Sequence, residues 1–167
     1  VTYVIGNYSV KSIVSNATSI SLNLTNIGTL NCVGDEGYAK VSFWMNWTNK
    51  LGSFPNNATL RLFSGNENNY YELNLNDLIS KTSGNWIGNW STPTVGIALG
   101  SSQGWITVHS PHWENITGLG FTLKWPVSAR ANLTMNIDDL YFVTKPISFL
   151  ATSSFGDYIA FTLVTIP

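Results

Sequence analysis

The sequence predicts an all-β protein, an antiparallel β-sandwich with an extended N-terminal strand. Three observations carry this. Residues 131–138 alternate strictly, with Ala131, Leu133, Met135 and Ile137 apolar and Asn132, Thr134, Asn136 and Asp138 polar. That is the period of a strand with one buried and one wet face. The same alternation returns in short runs along the chain, divided by clusters of Gly, Asn and Pro. A helical period is almost missing, the one candidate being a turn over 76–82 capped by Asn76 or Asp77.

Taken in order, residues 1–14 read as extended. Val4, Tyr8 and Val10 share one phase, Asn7, Ser9 and Lys11 the other, and Val1, Tyr3 and Ile5 break the pattern around Gly6. Residues 15–18 are polar and turn-like. Ile20, Leu22 and Leu24 mark a strand over 19–26, and Gly28, Gly34 and Gly37 mark a loop over 26–37. The run 38–48 is one-sided, with Val41, Phe43, Met45 and Trp47 in phase and Trp44 alone on the polar side. Strands follow at 57–63 and 70–75, around the turn cluster Ser64-Gly-Asn-Glu-Asn-Asn69. Further strands are expected at 94–99, 105–109, 119–125 and 131–143. The last ten residues are apolar in both phases, as in a strand covered on both faces. The expected organisation is an extended segment over 1–14, a sandwich core over 15–144, and an apolar C-terminal strand over 145–167 that completes the sandwich.

Asn-X-Ser/Thr triplets occur at Asn7, Asn16, Asn23, Asn46, Asn57, Asn89, Asn115 and Asn132, about twice the number this composition gives by chance. Asn23, Asn46, Asn57 and Asn132 fall on the polar phase of their strands, as N-linked glycans require, because a glycan is too large and polar to bury. We expect N-glycosylation at these eight positions and a secreted or cell-surface location. The chain begins at Val1, which we read as the product of signal-peptide removal. No apolar run approaches the roughly 18 residues that span a bilayer, so membrane insertion is not expected. Charged residues make up only 10% of the chain, and the net charge of −1 provides no basic field for nucleic acid.

No catalytic constellation is evident, and we expect no enzyme. Asp138 and Asp139 are adjacent on a strand and point to opposite faces, which is unsuited to a facing acid pair. His109, His112 and Glu114 surround Pro111 and read as turn residues rather than zinc ligands. The single cysteine, Cys32, reads as a buried thiol, with an intermolecular disulfide as the alternative. Trp86, Trp90, Trp105, Trp113 and Trp125 suit either a sugar-stacking platform or a core and subunit interface, and we expect the second.

Between about residues 35 and 143 the chain resembles the jelly-roll carbohydrate-binding modules and their galactose-binding-like relatives. The likeness rests on Gly37-Tyr-Ala-Lys-Val-Ser-Phe-Trp-Met, Ala58-Thr-Leu-Arg-Leu-Phe, Tyr70-Tyr-Glu-Leu-Asn-Leu, Gly104-Trp-Ile-Thr-Val, Ile116-Thr-Gly-Leu-Gly-Phe and Ile137-Asp-Asp-Leu-Tyr-Phe. It implies a jelly-roll-like sandwich and a structural calcium held by Asp35, Glu36 and Asp139. By themselves those carboxylates read as solvated loop residues. In its size, its Asn, Ser and Thr richness, its dense sequons and its apolar N-terminus, the chain also resembles the secreted subunits of archaeal surface threads and bundling pili. That resemblance implies an extracellular filament in which Val1, Tyr3, Val4, Ile5, Tyr8 and Val10 form a donor strand inserted into another copy of the chain. The competing expectation is a carbohydrate-binding module whose partners are surface glycans.

Overall fold

The computed structural model describes residues 10–34, 37–76, 97–101, 104–145, 148–152 and 158–162. The strands are β1 (Val10–Ala17), β2 (Ser19–Leu30), β3 (Tyr38–Asn49), β4 (Asn57–Ser64), β5 (Asn66–Asn74), β6 (Ile97–Ala98), β7 (Trp105–Val108), β8 (Ile116–Lys124), β9 (Ala131–Thr144), β10 (Ser148–Thr152) and β11 (Tyr158–Thr162). Two short 3₁₀ turns, Trp113–Asn115 and Val127–Ala129, precede β8 and β9.

Two antiparallel sheets form the sandwich, with strand orders β1-β9-β3-β6 and β2-β8-β4-β5-β7. Successive strands β1 to β4 alternate between the sheets, β4 and β5 form a hairpin, and β8 and β9 return to lie inside opposite sheets. This is the double Greek-key winding of a jelly roll, with β7 as an extra edge strand. The alternating residues meet in the middle. Val41, Phe43, Met45, Trp47, Leu133, Met135 and Ile137 come from the first sheet, and Ile20, Leu60, Leu62, Leu119, Phe121 and Leu123 from the second, all nearly solvent-free. Phe43 meets Phe121 edge to face across the interface, with ring centroids 4.7 Å apart.

The strand that best announces the fold changes phase midway. Through Ile137 the odd positions of β9 face the core, but beyond it Leu140 and Phe142 pack inward. Between the pairs Trp44↔Asp138 and Ser42↔Tyr141 the register slips, so two residues of β9 oppose one of β3. This β-bulge lets both halves of β9 present apolar residues to one core.

Several boundaries differ from the sequence expectation. The expected turn at 15–18 is largely strand, since β1 runs through Ala17 and absorbs an irregularity at Asn16, whose φ is 48°. Strand β2 continues to Leu30 through the expected loop. Asn26 and Gly28 take positive φ there and shift the register against β8 while Ile27 and Leu30 still pack on the core. The C-terminal segment was expected to complete the sandwich as one strand. Among the described residues β10 and β11 instead pair with each other and with neither main sheet. Of the helical turn expected at 76–82, all but Asn76 lies outside the described residues, as do 94–96 of the expected strand at 94–99.

Candidate functional site

The sequons fall in three settings. Asn16, Asn23, Asn115 and Asn132 are exposed, and Asn57 is half-buried. Asn16 and Asn132 lie side by side where β1 meets β9. The Asn132 Oδ1 accepts a hydrogen bond from the Asn16 backbone N–H at 3.0 Å, and Arg130 Nη1 donates to the Asn16 carbonyl at 3.0 Å. The Asn132 side chain thus uses its oxygen for structure and keeps its amide nitrogen, the atom a glycan would take. Asn46 departs from the expectation that all strand sequons face solvent. It is only 7% exposed, lies opposite Asn136 in the register, and its Oδ1 faces Asn136 Nδ2 at 3.4 Å. The polar phase of β3 is not a wet face at this point. β3 is an inner strand, and its neighbours Asn136 and Asp138 on β9 are buried too. Asn7 and Asn89 lie outside the described residues.

Of the six donor-strand residues, Val1, Tyr3, Val4, Ile5 and Tyr8 lie outside the described residues. Val10 opens β1, paired with Ile137 of its own chain and 44% exposed. β1 occupies one edge of the first sheet. At the opposite edge, β3 is paired with β9 along most of its twelve residues. On its other side, among the described residues, it pairs with β6 through Val41↔Ile97 and Lys40↔Ala98. Residues 94–96, which lead into β6, lie outside the described residues.

The tryptophans divide as a core requires. Trp47, Trp105, Trp113 and Trp125 are all less than a tenth exposed. Trp113 stacks on Tyr71 at 3.9 Å between ring centroids and receives the edge of Trp105 at 5.3 Å. Trp105 Nε1 donates to the Ala98 carbonyl, Trp125 Nε1 to that of Ser53, and the Tyr71 hydroxyl to that of Pro111. These three polar atoms are committed inside the fold. Trp44 is half-buried, and Trp86 and Trp90 lie outside the described residues. Cys32 is fully buried beside this cluster, with its backbone N–H donating to the Trp113 carbonyl at 2.8 Å. Burial pushes its thiol up to about 11, against a smaller opposing pull from Lys145. Burial likewise raises the Tyr71 phenol, helped by the charge of Glu114 and then by Cys32.

For the calcium expectation, Asp35, Glu36 and the side chain of Asp139 lie outside what is described. Among the described residues no group of three or more His, Cys, Asp or Glu side chains is placed to hold a metal. His112 faces Glu114 at 3.6 Å as an exposed pair. No helix among the described residues is long and apolar enough to cross a membrane.

The outer face of the second sheet holds a site that period-2 reading passed over. Gly118 and Gly120 leave the outward side of β8 bare, and Phe63 from β4 lies across both. A Cβ on Gly120 would stand 2.9 Å from Phe63 Cζ, and one on Gly118 3.1 Å from Phe63 Cδ2. Phe63 is only 3% exposed although its phase points away from the core. Tyr70, its cross-strand partner, meets it edge-on, and the Arg61 guanidinium lies 4.5 Å from the Tyr70 ring centroid while pairing with Glu72 at 2.6 Å. Above this floor opens a groove of about 370 Å³, walled by Thr25, Asn26, Gly65, Asn66, Glu67 and Thr117. Asn23 stands at its rim, its Nδ2 donating to Glu67 Oε2 at 2.9 Å. The signal in the sequence was the pair of glycines two residues apart on one strand face, which marks close approach of another group.

No protein-family model matches this chain, and no curated protein matches it.

Proposed function

We propose that the chain is a structural subunit of an extracellular, N-glycosylated surface filament whose subunits are joined by strand exchange. In this reading the extended N-terminal segment of one subunit adds to an open sheet edge of the next. What supports it is the apolar segment leading into β1, with Val1, Tyr3, Val4, Ile5, Tyr8 and Val10, in a chain of eight sequons and 10% charged residues. An added strand would satisfy the backbone groups of that edge, and alternate side chains would set its register. Such a contact is head-to-tail, and it builds a filament where the rotation between subunits does not close a ring. Exposed sequons on both sheets would supply the hydration that a chain with 10% charged residues otherwise lacks.

The test is to delete residues 1–9. The truncated chain should fold, remain monomeric, and bind a synthetic peptide of residues 1–10, whereas the intact chain should form filaments that survive heating in detergent. Filaments from the truncated chain would refute the exchange. A second reading, a carbohydrate-binding module, is favoured by the groove over Phe63. It requires a monomer in both preparations and saturable binding of free glycans.

A further inference from the structure

We propose that the groove over Phe63 is the seat of the first sugar of the glycan on Asn23. The inference rests on the reading of this chain as N-glycosylated and adds where one glycan lies. Three observations converge. Asn23 faces Gly120 across the β2–β8 pair, and a Cβ on Gly120 would stand 2.6 Å from Asn23 Oδ1 and 2.9 Å from Phe63 Cζ, so amide and ring share one notch. Thr25, whose hydroxyl completes the sequon, lines the groove itself. Glu67 already holds the Asn23 amide nitrogen, accepting from it at 2.9 Å.

Attachment forms a bond from that nitrogen to the anomeric carbon of a glycosyl pyrophosphate donor. The pyrophosphate leaves with the bonding electron pair, and one amide hydrogen leaves as a proton. The second amide hydrogen remains and can still donate to Glu67. The volume lies at the small end of ligand sites, which run from about 300 Å³ upward, and suits the first residue of a chain that continues into solvent. Phe63 supplies an apolar base for the C–H face of the ring, and Asn26, Asn66 and Glu67 supply donors and acceptors for its hydroxyls.

The test uses the glycosylated protein. Glycopeptide mass spectrometry should find Asn23 occupied, and NMR should show contacts between protons of the first sugar and the Phe63 ring. Asn23→Gln should then lower the melting temperature by about 2–4 °C, and the loss should shrink in an Asn66→Ala background, where the turn bonds that the Asn68 and Asn69 backbone N–H groups donate to Asn66 Oδ1 are missing from both arms alike. An unmodified Asn23 would overturn the seat together with the glycoprotein reading at this position. An occupied Asn23 without sugar–Phe63 contacts, and with the same loss in both backgrounds, would overturn the seat alone.

Discussion

Substituting Gly120 by alanine sets two effects of opposite sign against each other. A strand glycine replaced by alanine gains about 0.5–1 kcal/mol, because the unfolded chain has fewer conformations to lose. Against this, the new methyl would stand 2.6 Å from Asn23 Oδ1 and 2.9 Å from Phe63 Cζ. The Asn23 amide is the end of an exposed side chain and can swing aside at the cost of its bond to Glu67. Phe63 cannot move as cheaply, since it is 3% exposed and backed by Tyr70. Overpacking of this kind costs about 1–3 kcal/mol, so the steric effect wins by about 1–2 kcal/mol. At this chain length that is a fall in melting temperature of about 2–8 °C. Circular dichroism of unglycosylated protein reads it directly. In a Phe63→Leu background the side chain ends short of the Cζ position, and Gly120→Ala should there be neutral or stabilising. If Gly120→Ala stabilises the wild type, or costs the same in both backgrounds, the ring does not lie over Gly120 and the floor of the groove is wrong.

Other outcomes follow from single residues. Gly28 and Gly100 both take left-handed φ, but a Cβ on Gly28 meets nothing within 4 Å while one on Gly100 would stand 2.0 Å from the Cys32 carbonyl oxygen. Gly28→Ala should therefore cost about 1–2 kcal/mol, and Gly100→Ala at least twice that, in urea unfolding. The Cys32 thiol, held at about 11 in the fold against an ordinary 9.0, stays protonated when the unfolded chain would ionise. Its contribution to stability is complete below pH 9 and is lost as pH rises from 9 to 11, so denaturant midpoints should fall across that window and Cys32→Ala should flatten the fall. Glycopeptide mapping should find Asn46 unmodified while Asn16, Asn115 and Asn132 carry glycans. A glycan on Asn46 in folded protein would show that this face of β3 is open to solvent.

The local half of the structure was legible. Ile20, Leu22 and Leu24, the odd positions of 41–47, and Leu119, Phe121 and Leu123 alternate in sequence and face one core in the fold. A strand's period is set by its own backbone, so neighbours in sequence suffice to reveal it. Phase, however, tells which way a side chain points and not what lies there. Asn46 has the outward phase and is buried because β3 became an inner strand with Asn136 beside it. Phe63 has the outward phase and is buried because Gly118 and Gly120, 55 and more residues away in sequence, leave room for its ring.

By itself, then, the sequence determined an antiparallel sandwich, the inward set of the main strands up to Ile137 of β9, and the sequons, all of which depend on residues a few positions apart. Tertiary structure decided which strands are neighbours, where β9 slips by one residue to keep both halves on the core, which sequons reach solvent, and where a groove opens beside Asn23. Those outcomes depend on the register between strands brought together across about a hundred residues, as in β1 with β9 and β2 with β8. Only the packed core selects that register, because a slip of one residue would turn every apolar side chain to the wrong face.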